Sequence, residues 1–250
     1  MRIKVEFSSE NMHIVLPLNY NRLIQGLIYG SISNNLSTFL HNKGYELYKR
    51  SFKLFTFSRI FGKYNISFKN IIFNSPICFY LSSPYDDILE EFANSMFKNS
   101  SVFSLGLNKI YCSSIAIDKN FDFESNKVYK IKMLSPVTTY STHILNGKKK
   151  TIYYGPYDRE FSKLIHENLK KKYLILNKKE IKKNNAFNIK PLEVDPKKNF
   201  IVTSFKGTII KGWMGNYEIS GDNNLLKIAY DTGIGSKNSA GFGMWSVIDY

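Results

Sequence analysis

One order of secondary-structure signals, met twice along 250 residues, constrains this chain more than any other feature. Residues 2–7 alternate polar and apolar, the period-two pattern of a half-buried strand. Leu23, Leu27, Ile28 and Ile32 then recur at helical spacing behind Asn19 and Asn21, residue types that cap helices. Residues 52–60, rich in aromatic and branched side chains, and the apolar run 77–81 read as two strands separated by a loop with Lys69 and Asn70. Ser83, Pro84 and Asp86 mark a helix start, with Ser83 as the cap. Ile88, Leu89, Phe92, Met96 and Phe97 form its apolar stripe, and a strand over 110–117 completes the unit. The second half repeats the order: strand 128–134, a helix opened by Pro156 with Phe161, Leu164, Ile165 and Leu169 on one face, strands 200–205 and 208–219, a helix over 223–231 stopped by Gly233, and strand 243–248. Residues 173–196, rich in lysine, read as an insertion or hairpin. Two βαββαβ units in tandem predict an α+β fold of two ferredoxin-like, RRM-like domains, at 1–125 and 126–250.

Composition narrows the class. Hydrophobic residues at 43% and aromatics at 15% can build real cores, which excludes disorder and a disulfide-stapled miniprotein. No apolar run approaches the roughly 18–20 residues that span a bilayer, so a soluble, cytoplasmic protein without membrane association is expected. Cys78 and Cys112 lack partners at metal-ligand spacing. The net charge of +15 points to a polyanionic partner. Thirty of the 35 basic residues are lysine, a bias that an A+T-rich genome also produces, so the distribution matters more than the total. Residues 1–125 carry 13 basic and 10 acidic side chains, and residues 126–250 carry 22 and 10. The second half is the electrostatic half.

The sharpest local signal lies between Gly233 and Gly243. Gly233, Gly235, Gly241 and Gly243 fall within eleven residues, with Lys237 at the centre. Such a segment lets backbone N–H groups approach a ligand, and the lysine suits phosphate. A plain glycine-rich connection from helix to strand is the alternative reading.

This string resembles the C-terminal glycine-rich loop of the repeat-associated RNA-binding superfamily of CRISPR systems. Leu23-Ile24-Gln25-Gly26-Leu27-Ile28-Tyr29, Phe39-Leu40-His41, Phe52-Lys53-Leu54-Phe55-Thr56-Phe57-Ser58 and Leu134-Ser135-Pro136-Val137 are similar, in this order, to stretches of the Cas six family of repeat-processing endoribonucleases. The resemblance covers nearly the whole chain. It implies a metal-independent endoribonuclease that cuts CRISPR repeat RNA in precursor transcripts by attack of a 2′-hydroxyl, leaving 2′,3′-cyclic phosphate ends on guide RNAs. It also implies His41, Tyr29 and Lys53 as catalytic residues, since this chemistry needs a base, an acid and a cation. Which of His41 and Tyr29 is the base stays open. No cluster of Asp and Glu marks a two-metal site, and no metal or cofactor is expected.

RNA binding is expected at Gly233, Gly235, Lys237, Gly241 and Gly243 and at Lys148, Lys149 and Lys150, with Tyr140, Tyr153, Tyr154 and Trp213 as stacking platforms. The lysine run also reads as a solvated loop. His13, His143 and His166 are assigned no chemistry. Repeat RNA is the expected partner; hand-over to a CRISPR effector complex and a homodimer are left open. A non-catalytic repeat-binding subunit of the same superfamily is the main rival. A ferredoxin-like protein acting on a phosphorylated metabolite is the other, and it explains neither the charge asymmetry nor the duplicated unit.

The triad carries a geometric condition. In one straight helix, Tyr29 and His41 would stand about 18 Å apart and face directions roughly 120° different. The helix must therefore break near Ser31, Ser33, Asn34, Asn35 and Ser37, whose side chains compete for backbone bonds, and fold back through a short helix over about 36–40. That return brings His41 within about 10 Å of Tyr29, where phenol and imidazole reach one phosphate.

Overall fold

The structure, a computed structural model, describes residues 1–98, 102–118, 121–145, 147–182 and 185–248. In the first half the chain runs β1 (Arg2–Ser8), β2 (His13–Pro17), α1 (Asn21–Gly30), α2 (Asn34–Thr38), a π-helical turn (Phe39–Lys43), β3 (Tyr45–Leu47), β4 (Arg50–Phe52), β5 (Thr56–Phe57), β6 (Tyr64–Ser67), β7 (Asn70–Asn74), β8 (Ile77–Ser82), α3 (Asp86–Phe97), β9 (Phe103–Leu105) and β10 (Asn108–Ile117). The second half continues with β11 (Tyr129–Met133), β12 (Tyr140–Leu145), β13 (Lys148–Tyr153), α4 (Arg159–Asn177), β14 (Phe187–Glu193), β15 (Phe200–Phe205), β16 (Thr208–Trp213), β17 (Asn216–Gly221), α5 (Asn223–Thr232) and β18 (Trp245–Val247).

Two antiparallel sheets organise these elements, ordered β5-β8-β1-β10-β9 and β14-β17-β11-β18. Each contains the order second, third, first, fourth strand, with helices as the crossovers. This is the ferredoxin-like arrangement, repeated in tandem, and the α+β expectation holds. One core gathers Val5, Phe7, Ile24, Ile28, Phe55, Phe57, Phe79, Leu89 and Phe92; another gathers Ile131, Phe161, Ile165, Leu169, Tyr217, Leu225 and Trp245. Among the described residues no helix is long and apolar enough to cross a membrane.

Several local expectations change. Ser83 does not cap α3; its hydroxyl donates to the Leu54 carbonyl and accepts from the Tyr85 amide, so the helix starts at Asp86, and Phe97 points to solvent. The chain between 58 and 77 is no plain loop: β6 and β7 pair there and add β2 as a third strand. Residues 52–60 are not one strand, because Leu54 adopts a positive φ of 52° between β4 and β5.

The larger correction is in the second half. The second strand of its sheet is β14, inside the segment read as an insertion, and the hairpin β15–β16 stands apart from that sheet. The alternation of Phe187 and Ile189, both buried, with Asn188 and Lys190 is a genuine strand signal that lysine content and Pro191 obscure. Pro191 is tolerated because β14 is an edge strand that bulges between Pro191 and Glu193. Helix α4 also runs past 172, to Asn177; residues 183 and 184 of the expected insertion lie outside the described residues.

Arg2 ties the halves together. It leaves the central strand of the first sheet with only 1% exposure, donates from Nη1 to the Trp245 carbonyl (2.9 Å) and from Nη2 to the Tyr230 carbonyl (2.8 Å), and lies 3.5 Å over the Tyr230 ring.

Candidate active site

The break after α1 builds the site. Helix α1 ends at Gly30, and Ser33 restarts the chain as the N-cap of α2, its hydroxyl accepting from the Leu36 amide. Glu91 of α3 clamps the corner by accepting from the Ser33 amide (2.7 Å) and hydroxyl (3.2 Å). The π-helical turn then carries His41 back over α1, and the return begins a little earlier in the chain than the expected 36–40. Tyr29 and His41 meet edge to face, with ring centroids 6.1 Å apart. Phe55, fully buried, backs Tyr29 at 5.9 Å.

Lys53 arrives by a second turn. Gly44 takes φ 66° after the π-helical turn, where a Cβ would press on the Phe52 carbonyl and the Lys53 side chain. The Lys53 ammonium donates to the His41 carbonyl (3.2 Å) and to the Ser51 hydroxyl (3.1 Å), and Ser51 in turn donates to the Lys43 carbonyl. The three residues therefore share one neighbourhood, although they line two clefts. His41 and Tyr29 line one of about 330 Å³ with Arg22, Gln25, Gly26 and Lys206. Lys53 lines a larger one, of about 560 Å³, with Arg50, Tyr140, Lys172, Lys237 and Asn238.

The electrostatics assign each group a chemical capacity. Burial pushes the Tyr29 phenol up to about 12, so at neutral pH it keeps its proton and donates. Burial also lowers the Lys53 ammonium, opposed by the nearby Glu46 carboxylate. His41 is exposed, and its Nδ1 lies 2.8 Å from the Asn42 side-chain oxygen. An amide oxygen only accepts, so in this contact Nδ1 is the donor, and Nε2 is the ring nitrogen without a hydrogen-bond partner among the described residues.

The glycine-rich segment differs from its expected form. Its N–H groups at Ile234, Ser236, Ala240, Gly241, Phe242 and Gly243 donate to carbonyls of the protein itself. A Cβ at Gly235 would collide with the Thr138 carbonyl, and one at Gly243 with that of Ile234. These glycines let protein backbone pack against protein backbone. The segment is wedged between the halves: Asn21 donates to the Ala240 and Gly241 carbonyls, Gln25 to Ser239 and Thr56 to Phe242. Lys237, at φ 63°, turns its ammonium to within 6.0 Å of the Tyr140 ring and lines the larger cleft.

Beneath the segment lies a buried lysine that the sequence pattern does not flag. Lys172 of α4 donates to the Gly233 carbonyl (2.8 Å), the Asn238 side-chain oxygen (2.8 Å) and the Thr232 carbonyl (3.4 Å). Burial brings this ammonium down to about 7. Asn238 then donates to the carbonyls of Ile234 and Phe242, both at 3.0 Å, and so pins the two glycine pairs together.

Lys148, Lys149 and Lys150 are exposed, on β13 of a two-stranded hairpin rather than in a loop. Tyr140 and Tyr153 pair at 5.5 Å at the base of that hairpin. Trp213 is buried against Phe200, which removes it as a stacking platform. His166 accepts from the Phe187 amide and is structural. Arg22 and Lys206 are site residues that sequence reasoning did not find. Arg22 was within reach, since it lies seven positions before Tyr29 on the same helical stripe; Lys206 comes from a distant hairpin and left no local trace.

Comparison with known proteins places nearly the whole chain in one family. Residues 15–115 match the family model described as CRISPR-associated protein Cas6, N-terminal, and residues 118–247 the one described as CRISPR associated protein Cas6, C-terminal. CRISPR-associated endoribonuclease Cas6 1 of Methanocaldococcus jannaschii is 28% identical over 259 residues, covering 98% of this chain and 91% of that protein. CRISPR-associated endoribonuclease Cas6 of Pyrococcus furiosus is 28% identical over 247 residues, covering 93% of this chain and 83% of its own length. A solved structure described as characterization of a Cas6-related gene from Pyrococcus furiosus superposes with a TM-score of 0.83 at 23% identity, covering 100% of this chain and 98% of that one, and so shares the fold.

Proposed function

Given that this chain belongs to the Cas6 family, we propose that it is an endoribonuclease that cuts CRISPR repeat RNA within precursor transcripts, without a metal, by attack of the 2′-hydroxyl. The observation that carries the reading is the folded-back helix, which sets an imidazole with an open nitrogen against a protonated phenol beside an ammonium. In the proposed step His41 Nε2 takes the 2′-hydroxyl proton as the oxygen attacks the adjacent phosphorus. The bond from phosphorus to the 5′-oxygen breaks, leaving a 2′,3′-cyclic phosphate. Tyr29, held protonated, serves as donor to the departing oxygen, and the Lys53 ammonium answers the charge that develops on the phosphorane. In this scheme Lys53 exchanges its bond to the His41 carbonyl for one to the phosphate.

Residues 1–125 supply the reacting groups, and the more basic residues 126–250 hold the strand through salt-sensitive phosphate contacts at Lys237, Lys148, Lys149 and Lys150. The glycines at 233, 235, 241 and 243 contribute by shaping the segment that presents Lys237.

Labelled repeat RNA is incubated with the protein in EDTA, beside a substrate lacking the 2′-hydroxyl at the scissile nucleotide. Cleavage of the first and survival of the second are expected. Binding without cleavage of either would instead identify a repeat-binding subunit. In the same binding assay, Lys148/Lys149/Lys150→Ala is expected to flatten the dependence of affinity on salt, by roughly 0.7 in logarithmic slope for each phosphate no longer neutralised. An unchanged slope removes the hairpin from the RNA path.

A further inference from the structure

The cleft that holds His41 and Tyr29 is also lined by two cations that the reaction above does not use. Arg22 stands on α1, two helical turns before Tyr29 on the same face. Lys206 comes from the other half of the molecule, at the turn between β15 and β16, where it adopts φ 49°. That hairpin belongs to neither main sheet, yet it is tied down at the start of α1. The Thr203 hydroxyl and the Ser204 amide both donate to the side-chain oxygen of Asn19, at 2.8 and 3.3 Å. No carboxylate is among the described residues that line this cleft, so the two positive charges face it without an acidic neighbour there.

Between Arg22 and Tyr29 lies Gly26, exposed, in the interior of α1. A glycine there weakens a helix relative to alanine. Nothing inside the protein requires it, since a Cβ added at Gly26 would meet no atom within 4 Å. The bare backbone at this point forms part of the cleft wall.

We propose that Arg22, Gly26 and Lys206 form a phosphate seat for the nucleotide next to the scissile junction: the two cations hold the flanking phosphate, and the missing side chain at Gly26 lets the sugar–phosphate backbone lie directly on α1. The proposal deepens the ribonuclease reading and rests on it for the identity of the ligand. It also gives the β15–β16 hairpin a role, since this element carries a cation from the basic half into the cleft of the reacting groups. Arg22 and Lys206 bind and position the strand; neither exchanges a proton.

Two variants test it, with an RNA carrying the CRISPR repeat of the host genome as probe. Gly26→Leu restores a helix-favouring side chain at an exposed position, so its melting temperature is expected to equal or exceed that of the wild type. Its RNA affinity and single-turnover cleavage rate are expected to fall at least tenfold. Arg22→Gln combined with Lys206→Gln is expected to weaken binding at least tenfold and to flatten the salt dependence by roughly 1.4 in logarithmic slope, the share of two single-strand phosphate contacts. Affinity and cleavage within twofold of wild type in both variants would overturn the seat. Should the wild type bind this RNA but not cut it, the nuclease reading fails while the affinity arm still decides the seat; should it not bind at all, both fall.

Discussion

Replacing His41 by alanine is expected to slow single-turnover cleavage of repeat RNA by about 10²–10⁴, the range spanned by a positioned proton-transfer group. RNA affinity should stay within about threefold, because the phosphate contacts assigned to the basic half are untouched. The fold should survive, since the imidazole is exposed and its ring contact with Tyr29 is of a kind worth about 0.5–1.5 kcal/mol. Rate loss at preserved affinity and melting temperature is therefore the signature of a chemical role. Cleavage at the wild-type rate would end the assignment of His41 as base and, with it, the scheme in which Tyr29 only donates.

The second large effect concerns stability and lies beneath the glycine-rich segment. Lys172→Met keeps the length of the side chain but leaves the Gly233 carbonyl and the Asn238 side-chain oxygen without their donor. Each buried acceptor so stranded costs about 1–3 kcal/mol, and a kcal/mol moves the melting temperature of a chain this size by about 2–4 °C. A fall of roughly 5–15 °C is expected above pH 9. The gap should narrow on going towards neutrality. An unfolded lysine holds its proton below its ordinary value of 10.5, whereas in the fold burial delays uptake until about pH 7. Between those values the unfolded chain binds more protons, so wild-type stability rises with pH, by at most about 1.4 kcal/mol per unit, and the variant lacks that slope. Chemical denaturation at several pH values measures both; parallel curves would mean that Lys172 does not titrate differently on folding.

Much of this architecture was readable from residue patterns, and the exceptions share a physical origin. The return of His41 onto Tyr29 was expected because the family resemblance assigns both to one site, which a straight helix forbids, and serine side chains that compete with the backbone mark where the helix breaks. The exchange of roles between β14 and the β15–β16 hairpin was not, because period-two alternation also appears in strands that never join the main sheet, and five lysines between Tyr173 and Pro196 outweighed two buried positions at Phe187 and Ile189. The glycine pattern was visible but its cause was inverted. Glycine spacing reports that something comes close, and here the close neighbours are the carbonyls of Thr138 and Ile234. Lys172 and Lys206 owe their surroundings to contacts across the chain, which no local window of sequence contains.

The contact between Arg2 and Trp245 joins residues 243 positions apart in the chain. Because protein synthesis is vectorial, the guanidinium at the heart of the first sheet waits for its carbonyl until nearly every intervening residue has emerged from the ribosome. Until Tyr230 and Trp245 are made, the guanidinium lacks both carbonyls that receive it in the finished fold, so its burial at 1% exposure is a property of the two lobes together.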